Sequence, residues 1–376
     1  MSIKKNIMGY ILSAILFWFT TSCNKPNKIT SINDSVDVQV VDSKIKWQNH
    51  LLFPDTLHNN VIDKGVSLFC FVPPDNIFYF DMYKKQICVV SSDNGKERFS
   101  FSRSGRGPGE VKDVDWIKFI PNNSIMVLDN QLRRLTIFDK RGIVKTIVHT
   151  PFNLSDMCSL GMDKLIVSSY ELIPDYKPLH IISRENEKIL SDLGSIVEPQ
   201  EKLMERLNLN SFTKRNRSLF SNMGMVLISL LPDQKDLIYS QKHPYHLIKY
   251  NLETHNSLRI DVDLPYSANM MDEIIMDEKK ESTKWKPNLS ARVLAPKILN
   301  NHIIVPIFSA DSQDNYLDCY ALTGKFIKRL RIPPLGKGIR AWIADISNSY
   351  EIFVLVSSPN HFYWIEKFKI DPDALN

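Results

Sequence analysis

The sequence is poor in the groups that announce a particular chemistry. Its five cysteines form no C-x-x-C pair and stand near no histidine cluster, which argues against a zinc site. No Gly-x-Ser-x-Gly elbow occurs, so the local signature of one large hydrolase class is missing. Lysine and arginine number 47 against 42 acidic residues, with no basic stripe, and nucleic acid is therefore not expected as a partner. The apolar run near the N-terminus, Ile7 to Phe19, is 13 residues long, short of the about 20 helical residues that cross a bilayer core. What is present is ordinary globular material: 43% hydrophobic, 10% aromatic and 24% charged residues. That composition excludes a disordered chain, a collagen and a polytopic membrane protein. A length of 376 residues allows two domains or one large repeat-built β domain.

Lys4 and Lys5, the apolar run, and Thr20, Thr21, Ser22 and Cys23 follow one another as a basic region, a hydrophobic region and a small-residue cleavage zone. Residues 1–22 therefore read as a signal peptide. The TTSC stretch resembles a bacterial lipobox, with Cys23 as the lipidation site, although Thr20 stands where leucine is usual. Two or three acyl chains would hold the protein on a membrane far more firmly than one. Residues 23–35 are polar and read as a flexible tether. Without residues 1–22 the balance becomes 45 basic against 42 acidic, a formal charge of +3 that names no partner. Cys70, Cys88, Cys158 and Cys319 are widely spaced; an exported compartment permits disulfides, and buried free thiols are the alternative.

From residue 66 onward a turn, a short apolar run, a polar loop and a second apolar run recur six times. The first runs begin at Ile77, Ile125, Leu165, Leu237, Ile303 and Ile352, each after a Pro, Gly, Asn, Asp or Ser cluster. Many runs are apolar on both faces, which suits a sheet packed between two others. The expectation is an all-β fold: a six-bladed β-propeller of four-stranded antiparallel blades. The blades fall near 66–101, 112–148, 154–194, 216–262, 291–332 and 338–370, within a propeller spanning 36–376. Two long intervals carry short amphipathic patterns, one near Ile196 to Asn208 and one near Ser267 to Ser282, both expected as helical insertions. The sixth blade shows three strands, so a strand from 36–47 is expected to close it. On that basis loss of residues 24–35 should be tolerated and loss of 36–47 should abolish cooperative unfolding.

The segment Gly105-Arg106-Gly107-Pro108-Gly109-Glu110, with Asp115 to Gly142 behind it, resembles an NHL-type blade. Taken whole, the chain resembles the six-bladed β-propeller lipoproteins common in Bacteroidetes. The resemblance implies a lipid-anchored envelope protein, outer membrane included, and implies no particular reaction, because propellers host many functions. The glycine-rich segment is not expected to cradle phosphate, since it links strands and opens no helix.

In such blades the loops between second and third strands share one face of the disc with the links between blades. That face gathers Arg133, Arg134, Glu171, Asp175, Tyr176, His243, Tyr245, His246, Asp311, Asp314, Arg340 and His361. Cations, acids and aromatics around a funnel suit a polar ligand, a glycan, a peptide or a protein partner. His243 and His246 lack zinc spacing, and Asp311 to Asp314 lacks the glycine and glutamate of a calcium loop. No metal and no cofactor are therefore expected. Non-catalytic binding is the favoured reading; a propeller lyase or hydrolase acting on carbohydrate or peptide is the alternative.

Overall fold

The computed structural model describes residues 29–33, 36–42, 44–52, 69–81, 84–120, 122–169, 177–194, 226–242, 245–263, 273–277, 282–286, 291–309, 314–357 and 363–375. They form a six-bladed β-propeller of four-stranded antiparallel blades.

Blade 1 runs from the hub outward as Phe69–Val72, Asn76–Asp81, Gln86–Ser91 and Glu97–Phe101. Blade 2 comprises Trp116–Ile120, Ser124–Asp129, Arg134–Asp139 and Val144–His149, and blade 3 comprises Leu154–Leu160, Lys164–Ser169, Leu179–Ser183 and Ile189–Leu193. Blade 4 contains Val226–Leu230, Asp236–Lys242, Tyr245–Asn251 and Ser257–Arg259. In blade 5 the inner strand is split into Ala291–Val293 and Lys297–Leu299, followed by His302–Ser309, Asn315–Ala321 and Phe326–Ile332. The split falls at Leu294, Ala295 and Pro296, where proline cannot donate to the ladder. Blade 6 has Arg340–Ile346, Glu351–Ser357 and Tyr363–Ile370, completed by Ile45–Leu52 from the other end of the chain.

The second strands explain why alternation is weak in the sequence. All six residues of Ser124–Asp129 are buried, as are Ile77 to Asp81, because each blade is sandwiched between neighbours. Each fully buried Ile, Leu or Phe contributes about 1.5–3 kcal/mol. Aromatic pairs join adjacent blades: Phe71 of blade 1 stacks on Phe353 of blade 6 at 4.9 Å, and Phe101 of blade 1 meets Phe138 of blade 2 edge-on at 5.1 Å. The four cysteines of the propeller are buried free thiols.

The N-terminal segment does more than close the ring. Thr30–Ser31 pairs in parallel with the outer strand of blade 4, Thr30 opposite Leu258. Val40–Val41 pairs in parallel with the outer strand of blade 5, Val40 opposite Arg329. Between them the Asn33 amide donates to the carbonyls of Ile260 (2.8 Å) and Gly324 (2.9 Å) and accepts from the Phe326 amide (3.2 Å). The chain thus runs along the rim of blades 4 and 5 before it enters blade 6.

Two expectations need correction. Residues 29–33 lie on the propeller and are not tether: polar Asn33 is buried because it supplies the donors and acceptor that two outer strands lack at their junction. The second insertion is a β-hairpin and not a helix, with Glu273–Asp277 antiparallel to Ser282–Lys286 and Ile275 opposite Lys284. Adjacent β-branched Ile274 and Ile275 favour a strand over the helix that a four-residue spacing suggested. The first insertion lies outside the described residues.

Candidate functional site

Topology brings the loops between second and third strands and all blade-to-blade links to one face of the disc. Its two longest connections flank blade 4: the link after Leu193 has 32 residues and the link after Arg259, which carries the hairpin, has 31, against 14 after Phe101 and 16 after Leu52.

Of the residues expected there, Glu171, Asp175, Tyr176, His243, Asp311 and His361 lie outside the described residues. Tyr245 opens the third strand of blade 4 and Arg340 opens the inner strand of blade 6, both at the face end. Arg133 is exposed in the tight turn of blade 2, with φ of 48°. Asp314 is exposed and shares Arg331 with Asp42 of the N-terminal segment, at 2.9 and 2.7 Å.

Arg134 is not a ligand residue of the open face. It is buried, and its guanidinium donates to the carbonyls of Arg106 (2.9 Å), Gly107 (3.1 Å) and Glu110. The glycine-rich segment folds back on itself, leaving carbonyls turned inward that a five-donor side chain can satisfy. The same loop explains two of its glycines by close approach. A Cβ on Gly105 would sit 2.0 Å from Glu110 Oε2, and one on Gly107 would sit 3.0 Å from it. That carboxylate accepts from the Gly107 amide and from Arg103 Nε, both at 2.6 Å. These two contacts, the amide first, hold the Glu110 carboxyl below its ordinary pKa.

His246 is the second residue of the third strand of blade 4, near its face end. Its side chain is largely buried, with Nδ1 3.5 Å from Asp261 Oδ2. Asp261 also accepts from the Leu247 amide (3.1 Å) and from Arg259 Nε (3.1 Å to each oxygen), so it fixes the end of the outer strand of blade 4. A histidine, a carboxylate and a guanidinium are thereby brought together on blade 4.

The hub holds charges that no sequence motif signalled. Lys118 of blade 2 places Nζ 2.8 Å from Asp156 Oδ1 of blade 3 and donates to the carbonyls of Met157 (2.9 Å) and Ile228 (3.1 Å). Asp156 Oδ2 accepts from the Ile228 amide of blade 4 at 2.8 Å. Three blades away the arrangement recurs: Lys297 of blade 5 is 2.8 Å from Asp345 Oδ1 of blade 6, and Asp345 Oδ2 accepts from the Phe71 amide of blade 1 at 2.8 Å. Burial opposes charge on Lys297, but Asp345 outweighs it and, with Asp156 and Cys70, lifts the ammonium pKa above its ordinary value. Two lysine–aspartate clamps in pseudo-twofold relation thus tie the inner strands in two groups of three, blades 2 to 4 by one and blades 5, 6 and 1 by the other.

Solved structures show where this architecture has been seen. A member of the DUF4221 family from Bacteroides vulgatus superposes with a TM-score of 0.56 at 9% identity, over 87% of this chain and 98% of that one. A Bacteroides fragilis protein described as exported gives a TM-score of 0.53 at 14% identity, over 91% and 99%. The likeness is one of fold. No protein-family model matches the sequence, and no curated protein matches it.

Among the described residues no three His, Cys, Asp or Glu side chains are grouped as metal ligands. A cleft of about 480 Å³ opens on the rim of blade 4 beside Thr30, Asp236, Lys249 and Asn251. Its charges are engaged with one another or with the backbone, Lys249 with Asp236 (2.9 Å) and with the Leu322 carbonyl (2.9 Å).

Proposed function

We propose that this chain is an exported, lipid-anchored envelope protein whose loop face binds a glycan, peptide or protein partner without transforming it. The observation that carries the reading is that the two longest connections of the loop face flank blade 4, while the hub beneath is tied by ion pairs. A rigid disc with long connections gathered beside one blade is a recognition scaffold. The anchor rests on the basic, apolar and small-residue succession ending at Cys23, and the fold likeness to a Bacteroides fragilis protein described as exported is in keeping with it. The NHL-type character of blade 2 and an outer-membrane address belong to the same proposal.

The test is a thermal-shift screen of residues 24–376 against glycans, peptides and divalent metals. A cognate ligand at about 100 times its Kd stabilises the fold by about 2.7 kcal/mol. A glycan or peptide shift with the ligand recovered intact supports the proposal. Recovery of a cleaved ligand, with cleavage lost in a His246→Ala variant, would replace it with the lyase or hydrolase reading that the His246–Asp261 contact favours. Replacing Cys23 by serine should release the full-length protein from membranes.

A further inference from the structure

The N-terminal segment fixes where a lipid attached to Cys23 must lie. Ile29 packs against the cluster of Leu193, Tyr250 and Val226, at the seam between blades 3 and 4. Thr30–Ser31 then continues along the rim of blade 4. Five residues, Asn24 to Lys28, separate Cys23 from Ile29, and a chain of that length spans at most about 20 Å. An acyl chain on Cys23 therefore enters its membrane close to that seam, whichever way the intervening residues run.

The rim beside the seam carries an unexplained pair of side chains. Ile189 and Leu190 are consecutive in the outer strand of blade 3 and are 43% and 50% exposed. Among the described residues this is an edge strand, whereas the outer strands of blades 4 and 5 are each covered by a piece of the N-terminal segment. Exposed consecutive apolar residues on an open edge invite unwanted pairing in a soluble protein. Leu193 of the same strand belongs to the cluster that receives Ile29, and three strand residues span about 10 Å, so Leu190 lies within reach of the bilayer that holds Cys23.

Resting on the lipid-anchor part of the reading above, we infer that the rim formed by the outer strand of blade 3, with Ile189 and Leu190 leading, is the membrane-contact surface. The disc then stands on its edge on the bilayer, and the loop face opens sideways, accessible to a partner in the surrounding space. The partner of this rim is the lipid surface itself. Charge is not the attraction, because the exposed neighbours mix Lys188 with Glu185 and Asp192.

The experiment uses the full protein purified with its lipid and reconstituted in vesicles of phosphatidylethanolamine and phosphatidylglycerol containing doxyl-labelled lipid. An environment-sensitive NBD probe is placed on a Leu190→Cys variant and, for comparison, on Ser100→Cys, an exposed site in the outer strand of blade 1, two blades away around the disc. The four native propeller thiols are buried, and the unsubstituted protein serves as the blank. The expected result is a blue shift and loss of fluorescence at position 190, with neither at 100. Equal quenching at the two sites, or quenching at 100 alone, overturns the assignment of the rim. Mass spectrometry of the same preparation separates the two ideas: an unacylated Cys23 overturns the lipid-anchor reading, whereas an acylated Cys23 with an unquenched probe at 190 overturns only the contact surface. As a check free of substitutions, amide exchange of residues 189–193 should slow on reconstitution, and unchanged exchange counts against the proposal.

Discussion

Lys118 and Asp156, one strand apart at the hub, form a 2.8 Å ion pair that Lys297 and Asp345 repeat three blades further on. In each clamp the lysine comes from one blade and the aspartate from the next. The free carboxylate oxygen then takes the backbone N–H of the blade after that. The inner strands of a propeller are short and share few hydrogen bonds with one another, so these clamps supply cross-blade links that backbone ladders cannot.

Breaking one clamp from the carboxylate side should be costly. Asp156→Ala leaves the Lys118 ammonium and the Ile228 amide without their partner, and removing one member of a buried pair typically costs about 3–5 kcal/mol. The paired replacement Lys118→Met with Asp156→Leu should cost less than Asp156→Ala alone. Urea unfolding of the three proteins checks this; a double variant weaker than the single would refute the account.

The glycine-rich loop depends on two contacts that can be separated. Gly105→Ala drives a Cβ into the Glu110 carboxylate, so its cost should shrink in a Glu110→Ala background, with a coupling of about 0.5–3 kcal/mol in a double-mutant cycle. Arg134→Ala strips the donors from three part-buried carbonyls and loosens the loop, each lost hydrogen bond costing about 0.5–1.5 kcal/mol. Trypsin should then cut at the exposed Arg103 and Arg106 sooner than in the unsubstituted protein.

Asn33 is the lock of the rim segment. Asn33→Ala removes two donors and one acceptor at the junction of blades 4 and 5 and should lower stability by about 2–3 kcal/mol. Deleting residues 24–28 should leave the melting temperature unchanged, and deleting 24–33 should lower it. Equal melting temperatures for the two deletions would show the segment to be dispensable.

The buried thiols set an alkaline limit. Burial foremost pushes Cys158 up to about 12 and Cys88 up to about 11, and it raises Cys70 and Cys319 as well. A thiol kept neutral by the fold ionises first in the unfolded chain. Its stabilising contribution is therefore complete below the unfolded value of about 8.5 and declines as pH rises toward the folded values. The urea midpoint of residues 24–376 should fall between about pH 8.5 and pH 11, and less so in Cys158→Ala. Ellman's reagent should react with none of the four thiols in the folded protein and with all four in denaturant.

The blades were legible in the sequence because each pairs a turn cluster with strand-length apolar runs, as Pro121-Asn122-Asn123 does before Ile125 to Leu128. In the structure Asn122 and Asn123 adopt φ of 66° and 53°, as a tight hairpin requires. The second insertion was misread because MMDEIIMDEKKE satisfies helical spacing as well as strand content, and periodicity cannot arbitrate over so short a run. Arg134 was misplaced for another reason. Its position at the face end of blade 2 is readable, but its direction is set by carbonyls twenty-seven and twenty-eight residues upstream.

By itself the sequence determined the class of fold and the number of blades, because these follow from local periodicity, turn chemistry and composition. Tertiary structure alone decided which charges meet. Lys118, Asp156, Lys297 and Asp345 are unremarked polar residues within apolar strands when read along the chain, and closure of the ring brings them within 2.8 Å. Asn33 reads as tether until residues 227 and 291 positions away offer it their carbonyls. Coulomb energy and hydrogen bonding depend on distances through space, and those distances exist only once six blades have closed on one another.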